Sequence, residues 1–382
     1  MEATTKMMTR RSLLAAGVAG LGGLIACRVG RSDIPASLPE PPEGGLVIRN
    51  ARPLDAESPL SQLRSFLTPN EHFFVRSHFG PPASFPAEWT LTVDGSVARP
   101  VTFTLADLRK LGSTTQVVTT ECAGNGRGRL RLPRTAGVQW QYGAISTAEW
   151  TGVPLRGLLE RAGMTAEAQH LWMEGLDQAP LPAVPKFLRS IPADLGLSHG
   201  FLAWEMNGSP IPLLHGGPLR LLTPGWFGMA STKWLTHVHV RPAASDNFFM
   251  ATAYRLADGS PVERLRVKSL ITAPLADERL SVGTVQVQGQ AWSGLGAGGI
   301  RSVELSLDDG QTWQPARLTG KELPYAWRSF ESEVRITSPG PQRLLARATD
   351  RSGAVQPRNA EANPGGFANN SMHELRFDAV QA

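Results

Sequence analysis

Three segments in the last third of the chain alternate apolar and polar residues with a period of two. They read "TVQVQGQAW" (284–292), "SVELSLDDGQTW" (302–313) and "RLLARATD" (343–350), and an Asp-Gly pair marks a turn in the second. Alternation of this kind places one face of each strand against a core and the other in solvent. The spacing is typical of two packed antiparallel sheets, so we predict a β-sandwich of about 115 residues from near Val267.

The preceding part of the chain combines short strands with few helices. "WTLTVDGSV" (89–97) predicts a hairpin, and "STKWLTHVHVRP" (231–242) predicts a strand. Residues 104–112 and 153–163 have the capping residues and apolar spacing of short helices. The 39 glycines and 30 prolines among 382 residues also favour a β-rich chain with many turns.

These elements divide the chain into regions. Residues 28–60 are rich in Pro, Gly, Ser and charge, which is typical of a linker with little structure. The predicted fold class is α+β, with a mixed, β-rich domain over residues 61–245 and a sandwich domain over residues 262–382.

The N-terminal 27 residues have the features of an export signal. "TRRSLL" (9–14) is a twin-arginine pattern, and an apolar stretch to Ile25 follows it. That stretch is shorter than the roughly 20 residues that span a bilayer, although an N-terminal anchor helix remains an alternative. "LIAC" (24–27) resembles a bacterial lipobox, so Cys27 is a candidate for lipid attachment, with plain cleavage as the alternative. We therefore expect an exported protein, periplasmic or on the outer face of the envelope, whose membrane contact is limited to a lipid at Cys27.

The net charge limits the class of partner. It is +5, of which residues 1–27 contribute +2. A charge this small and dispersed does not favour nucleic-acid binding. It suits a small anionic substrate.

Cys122 is the only cysteine outside the predicted signal, so no intrachain disulfide can form in the exported protein. It follows a predicted strand, Gln116–Glu121, and begins a glycine-rich loop that contains Arg127. Glycines let another group approach the backbone closely, and nearby arginines favour the thiolate and bind oxyanions. An inert buried thiol, a nucleophile and a metal ligand all remain open, and soft sulfur ligands suit redox metals.

Other site types fit the sequence less well. The loop has the spacing G-x-G-x-G with no helix after it, so it is neither a dinucleotide loop nor a Walker loop. No local His and Asn accompany Cys122 as in a thiol protease, and zinc usually recruits several Cys or His ligands. His237 and His239 alternate on a predicted strand and form a candidate zinc pair, although two histidines on a polar strand face are the simpler account.

The sequence "CAGN" (122–125) with Arg127 resembles the cysteine loop of the sulfite oxidase family of molybdenum enzymes. Further blocks follow in that family's order: "TPNEHFFVRSH" (68–78), "GVQWQYGAISTAEWTGVPL" (137–155), "EGLD" (174–177), "LAWEMNG" (202–208) and "HGGPLRLLTPGWFGMASTKWL" (215–235). "SVELSLDDGQTW" resembles the family's immunoglobulin-like dimerisation domain. The resemblance covers residues 60–382 and implies one Mo-molybdopterin per chain and a homodimer that forms through the C-terminal domain.

The resemblance also assigns residues. It implies that Cys122 is the molybdenum ligand, and that the catalytic pocket contains Arg76, Arg127, Trp140 and Trp204. The residues that match cofactor-contacting positions are Phe74, His78, Cys122, Asp177, His215, Arg220, Ser231 and Lys233. Arg129, Arg131 and Arg134 have no such match and are interpreted as surface or steering charge.

Two departures from the family pattern concern the substrate. In the "LAWEMNG" block, Trp204 stands where we expect a tyrosine near the metal, and an indole cannot accept a proton as a phenol can. Because Tyr142 lies two residues after Trp140, we hypothesise that it takes over that role. Near the C-terminus, Glu374 follows His373 where the family places an arginine, which would replace a positive charge at the pocket mouth by a negative one.

The activity implied is oxidation of sulfite, or of a related small sulfur oxyanion, to sulfate, with water as the oxygen source. The chain contains no Cys-x-x-Cys-His haem motif, so we expect no haem in this chain and electron transfer to an external carrier, a cytochrome c. The alternative is a molybdenum enzyme of the same fold that acts on sulfane sulfur or reduces an S-oxide or N-oxide. A non-catalytic cell-surface binding protein is the remaining alternative, and metal analysis separates it from the others.

Overall fold

The computed structural model describes residues 45–130, 135–276, 278–294 and 299–381. The predicted export signal, Cys27, Arg131 and Arg134 lie outside these ranges. Within them, no helix has the length and apolar character needed to cross a membrane.

The first part of the chain contains twelve strands and four short helices in the described ranges. The strands are β1 (Val47–Ala51), β2 (Leu54–Glu57), β3 (Thr90–Gly95), β4 (Val101–Thr104), β5 (Thr114–Glu121), β6 (Ile145–Pro154), β7 (His170–Gly175), β8 (Leu188–Pro192), β9 (Phe201–Met206), β10 (Ser209–Pro210), β11 (Arg220–Leu222) and β12 (Leu235–Arg241). The helices are α1 (Leu105–Lys110), α2 (Arg156–Ala162), α3 (Ala193–His199) and α4 (Phe248–Ala251).

These strands form a hairpin, β1–β2, and two five-stranded sheets. One sheet has the order β10-β9-β6-β5, with β11 also paired to β9, and the other has the order β4-β3-β12-β7-β8. Strand β12 pairs parallel with β3 and antiparallel with β7, so this sheet is mixed. The apolar core between sheet and helices includes Leu91, Leu158 and Val238, all fully buried.

The two helices predicted from the sequence, α1 and α2, form at the positions that their capping residues indicate. Thr104 and Asp107 make a capping box that satisfies two N–H groups at the start of α1. Helix α2 ends at Gly163, whose φ of 70° is left-handed. That conformation favours glycine and lets the chain turn out of the helix.

The prediction of a linker to residue 60 is wrong for residues 47–57. These residues form the antiparallel pair β1–β2, and Ala56 also bridges to Val75. The prolines and glycines that indicated a linker are densest in residues 38–45, whereas "LVIRNARPLDAE" (46–57) supplies apolar side chains to a small cluster with Val75. Averaging the composition over the whole segment concealed this hairpin.

The second part of the chain contains eight strands among the described residues. They are β13 (Lys268–Ala273), β14 (Leu280–Ser281), β15 (Gly283–Trp292), β16 (Ile300–Ser306), β17 (Gln314–Thr319), β18 (Arg328–Ile336), β19 (Gly340–Asp350) and β20 (His373–Val380). Their order is β13-β15-β18-β17-β16-β19-β20-β14, and β17 joins the two halves by pairing with both β16 and β18.

The two halves of this ladder cover one apolar core. Val287 and Phe330 come from one half, and Leu305 and Leu344 from the other, and each is at most 1% exposed. Segments 284–292 and 343–350 lie in β15 and β19, and segment 302–313 ends β16 and continues into the turn before β17, which agrees with a β-rich second domain. The immunoglobulin-like topology stays a prediction.

The second domain reaches back to the cysteine loop of the first. The Ala368 amide donates to the Ala123 carbonyl at 2.8 Å, and the Asn369 side chain donates to the Gly126 carbonyl, also at 2.8 Å. Trp292 and Trp327 of the second domain share an apolar cluster with Ala123. The cysteine loop is therefore held between the two domains.

Candidate active site

A cavity lies beside Cys122, where strand β5 ends and the glycine-rich loop begins. Eight of the residues proposed from the sequence line it: Phe74, Arg76, His78, Cys122, Asp177, Arg220, Ser231 and Lys233. Four others do not line it: Arg127, Trp140, Trp204 and His215. Segments far apart in the sequence thus meet at one thiol.

The backbone on both sides of Cys122 is fixed. Its amide donates to the Ala144 carbonyl at 2.9 Å, and its own carbonyl accepts from the Asn125 amide at 2.9 Å. Burial raises the pKa of the Cys122 thiol, and the positive charges of Arg76 and Arg127 oppose that rise. In the protein alone the sulfur therefore holds its proton, and a soft metal ion would replace that proton when it binds.

A buried ion pair across the domain boundary supports the residue before Cys122. Glu121 accepts from the Lys268 ammonium at 2.8 Å, and the two side chains are 3% and 5% exposed. Glu121 also accepts from the Asn125 amide and from the Trp292 indole, each at 2.9 Å. Both carboxylate oxygens are therefore satisfied, which a buried charge requires.

Arg127 lies behind the cysteine loop. It donates to the Gly365 carbonyl at 2.8 Å and to the Val138 carbonyl at 2.9 Å, and it lies 5.1 Å from the centre of the Phe367 ring. A Cβ atom at Gly124 would lie 2.9 Å from its guanidinium, so this glycine is needed for close approach. Arg127 therefore acts on the thiol through its charge, without lining the cavity.

Arg76 lines the cavity and is paired. Its guanidinium lies 3.0 Å from Asp55, which is 1% exposed, and it donates to the Ser77 carbonyl at 2.8 Å. Burial raises the pKa of Asp55, and the Arg76 charge opposes that rise. The partner comes from strand β2, in the region that composition had assigned to a linker.

The cationic side of the cavity contains polar groups without partners. Arg220 is 3% exposed and makes no ion pair with any described residue, and its Nε has no hydrogen-bond partner. Among the described residues, the hydroxyl of Thr232 on the cavity wall also lacks a partner, as does the Nδ1 of His215, which lies outside the lining. Lys233 makes one hydrogen bond, of 2.5 Å, to the Leu214 carbonyl. Burial lowers the pKa of Lys233 well below its usual value, whereas the pKa of Arg220, lowered to about 10, leaves it positive at neutral pH. Buried donors of this kind need an acceptor, and the positive charge of Arg220 favours an anion.

This donor set fits molybdopterin, which carries a phosphate and a pterin with many hydrogen-bonding edges. Arg220, Lys233 and Thr232 would hold it, and the Sγ of Cys122 would hold the metal. Asp177 lies on the same wall, and burial raises its pKa to about 6, so it is available as a donor or an acceptor near neutral pH.

Tyr254 is one of several cavity residues that the sequence did not predict, and it is the one with an ionisable phenol. It lies in the connector between the domains, lines the cavity and is 8% exposed, and its hydroxyl is 3.1 Å from His78 Nε2. Burial raises the pKa of Tyr254 and lowers that of His78 well below its usual value. The phenol is thus protonated and the imidazole neutral at neutral pH. The chain has only three tyrosines, so each of them was a candidate for a phenol in the cavity, and this was the one sequence signal that pointed to Tyr254.

The hypothesis that Tyr142 takes this role is wrong for the cavity. Tyr142 packs edge-on against His373, with ring centres 4.4 Å apart, and its hydroxyl accepts from Arg129 at 3.3 Å. Residues 140–142 are not in a strand, because strand β6 starts only at Ile145. Side-chain alternation therefore does not apply to these residues.

Three other positions also lie outside the cavity lining. Trp140 is 1% exposed in an apolar cluster beside which Cys122 packs, and Trp204 is 4% exposed in the core of the first domain. Glu374 pairs with Arg343, Arg358 and Arg376 of the second domain. Its negative charge is therefore compensated locally.

His237 and His239 stack with their ring centres 5.3 Å apart. His239 is tied to Asp94 at 2.7 Å and lies 3.6 Å from Glu174. In the part of the chain that the structure describes, no group of three or more His, Cys, Asp or Glu side chains is placed to hold a metal ion. The zinc interpretation of this pair has no third ligand there.

Comparison with known proteins agrees with this geometry. The model of the oxidoreductase molybdopterin binding domain matches residues 78–249, and that of the Mo-co oxidoreductase dimerisation domain matches residues 260–379. Sulfite oxidase from Gallus gallus is 36% identical over 342 residues, which cover 83% of this chain and 74% of that protein. The chain belongs to the sulfite oxidase family.

Two further matches bear on this family member. Mitochondrial sulfite oxidase from Macaca fascicularis is 33% identical over 361 residues, which cover 86% of this chain and 65% of that protein, slightly under two thirds of its length. The crystal structure of the sulfane dehydrogenase SoxCD from Paracoccus pantotrophus has a TM-score of 0.78 and 29% identity, and the match covers 92% of this chain and 93% of that one. The protein is thus a molybdopterin-dependent oxidoreductase of the sulfite oxidase type.

Proposed function

We propose that this family member oxidises sulfite, or a related small sulfur oxyanion, to sulfate. For sulfite the balance is one sulfite and one water to one sulfate, two protons and two electrons. The observation that carries the proposal is the cavity itself, in which Cys122 lies among Arg76, Arg220 and Lys233, with the Tyr254 phenol on the wall. Cationic donors in a partly dehydrated site bind an oxyanion strongly.

The residues of the chain have separate tasks in this reaction. Bound molybdopterin supplies the molybdenum that accepts two electrons and exchanges oxygen. Arg76, oriented by Asp55, attracts and positions the anion. The protonated phenol of Tyr254 donates a hydrogen bond to a substrate oxygen or to His78 Nε2. Because the pKa of His78 is well below its usual value, His78 serves as an acceptor and does not store the proton.

The same proposal includes location and partners. The twin-arginine pattern supports export to the periplasm or the outer face of the envelope, and Cys27 is proposed as a lipid site. The match of residues 260–379 to a dimerisation domain supports a homodimer. Electrons leave to an external carrier, for which we propose a cytochrome c.

The test is reduction of a soluble c-type cytochrome by the purified, molybdenum-loaded full chain, with sulfite as the electron donor. We expect sulfite-dependent reduction that Cys122→Ser abolishes while the far-UV spectrum is unchanged. Full activity of the Ser variant, or no reduction by fully loaded protein, contradicts the proposal.

A sulfane-sulfur substrate is the second candidate. It is favoured by the apolar part of the lining, which includes Phe187 and Met229. The likeness to a sulfane dehydrogenase structure supports it as well. Thiosulfate in the same cytochrome assay, alongside sulfite, separates the two. A reduced electron donor with an S-oxide or N-oxide tests the reductive alternative.

A further inference from the structure

Arg189 is a buried guanidinium that forms no ion pair with a carboxylate in the part of the chain that the structure describes. It lies in strand β8 and is 1% exposed. Its Nη1 donates to the Phe249 carbonyl, and its Nε has no hydrogen-bond partner. It makes no ion pair among the described residues, and Glu263 is the acidic side chain that influences it from a longer range.

Arg189 lies one side chain away from the cavity. Its guanidinium carbon is 5.1 Å from the centre of the Tyr254 ring, and the hydroxyl of that ring contacts His78. Tyr254 and His78 both line the cavity that contains Cys122. The charged groups around Arg189 are therefore Glu263 and Arg255 at longer range, and the titratable cavity residues Tyr254 and His78 are neutral near pH 7.

The charge persists at neutral pH. Burial lowers the pKa of Arg189 to about 10, which leaves the guanidinium protonated. A buried, unpaired cation costs folding free energy, and an apolar side chain of similar size would remove that cost. Among the described residues this positive charge has no directly paired counter-charge, since Glu263 acts on it only from a longer range.

We propose that Arg189 determines the specificity of the cavity for anions, because an oxyanion bound beside Tyr254 supplies the missing counter-charge. This inference rests on the proposed function for the identity of the substrate. Asp55 neutralises the charge of Arg76, whereas no described carboxylate is paired with Arg189. Arg189 therefore attracts an anion in the cavity more strongly than expected for a residue that does not line it. An anion near an uncompensated charge in a medium of low dielectric constant binds roughly ten-fold more tightly than without it.

The experiment compares Arg189→Met, which removes the charge and keeps the length, with Arg189→Lys, which keeps the charge. Arg241→Met is the control, since Arg241 is an exposed cation that packs 5.6 Å from the Trp172 ring. In molybdenum-loaded full chain, kcat and KM for sulfite are measured at constant ionic strength. In the same preparations, Tm is measured with and without millimolar sulfate, a dianion that the enzyme does not oxidise further.

For Arg189→Met we expect a Tm without sulfate that equals or exceeds that of the wild type, loss of most of the sulfate-induced rise in Tm, and a KM about ten-fold higher with a smaller change in kcat. Arg189→Lys and Arg241→Met should resemble the wild type. A normal KM and sulfate response in Arg189→Met overturns the inference, as does a lower molybdenum content with a normal KM.

Two results keep the inference separate from the proposed function. If the loaded wild type does not oxidise sulfite but sulfate raises its Tm, the proposed substrate fails and the sulfate response still tests Arg189. If sulfate has no effect on the wild type, the inference fails. Should Arg189→Met not fold, Arg189→Gln, which retains hydrogen-bonding capacity, replaces it.

Discussion

Replacing Lys268 by Met should destabilise the protein strongly, because it leaves the Glu121 charge buried and uncompensated. The two side chains are 5% and 3% exposed and 2.8 Å apart. Removing one partner of such a pair costs about 3–5 kcal/mol in the free energy of unfolding. Glu121→Gln in addition removes the second charge and leaves one donor, from Asn125 or Trp292, without an acceptor, at about 1–3 kcal/mol. The double variant should therefore be more stable than Lys268→Met alone.

The assay is urea unfolding of the cofactor-free protein, followed by Trp fluorescence, together with the rate at which iodoacetamide alkylates Cys122. We expect faster alkylation in Lys268→Met, since Glu121 precedes the cysteine and is no longer fixed, and partial recovery in the double variant. Arg347→Met, which breaks a half-exposed pair with Glu304 in the sandwich, is the control and should leave alkylation unchanged. A loss below about 1 kcal/mol in Lys268→Met, or additive losses in the double variant, refutes the reasoning.

Other expectations follow from the same site. Tyr254→Phe should lower kcat/KM about 10- to 100-fold, because a hydrogen bond to a charged substrate is lost, whereas Tyr142→Phe should have little effect; equal effects in steady-state kinetics would contradict this. The pKa of Asp177 is raised from 3.8 to about 6, so the folded state binds this proton more tightly, and its contribution to stability is lost as pH rises from about 4 through 6; Asp177→Asn should abolish that part of the pH dependence in thermal melts of cofactor-free protein. Gly124→Ala should displace Arg127, whose guanidinium would lie 2.9 Å from the new Cβ, and should raise KM more than it lowers kcat.

The parts of the fold that follow local rules were predictable. The capping residues of α1, the Asp-Gly turn near residue 309 and the alternation in β15 and β19 each depend on neighbours within a few positions. The match of several blocks in family order also made the cofactor-binding residues predictable, and seven of those eight line the cavity together with Arg76.

The remaining features depend on contacts between distant residues. Nothing within ten positions of Arg189 indicates that it lies under Tyr254, and the pairing of Asp55 with Arg76 requires the β1–β2 hairpin to fold onto the first domain. Trp204 lies in a sequence block that resembles part of a pocket. In the structure its side chain packs in the core of the first domain, because other core residues cover that face of strand β9. The alternation of apolar and polar residues predicts that a segment is a strand, but it does not predict which other elements pack against each face of that strand.

The contact between Asn369 and the Gly126 carbonyl joins residues 243 positions apart. During synthesis, the loop that begins at Cys122 leaves the ribosome long before this partner does. Until translation has passed residue 369, the residues of the second domain that cover the cysteine loop are therefore missing, and the Cys122 thiol is accessible to oxidants and metal ions.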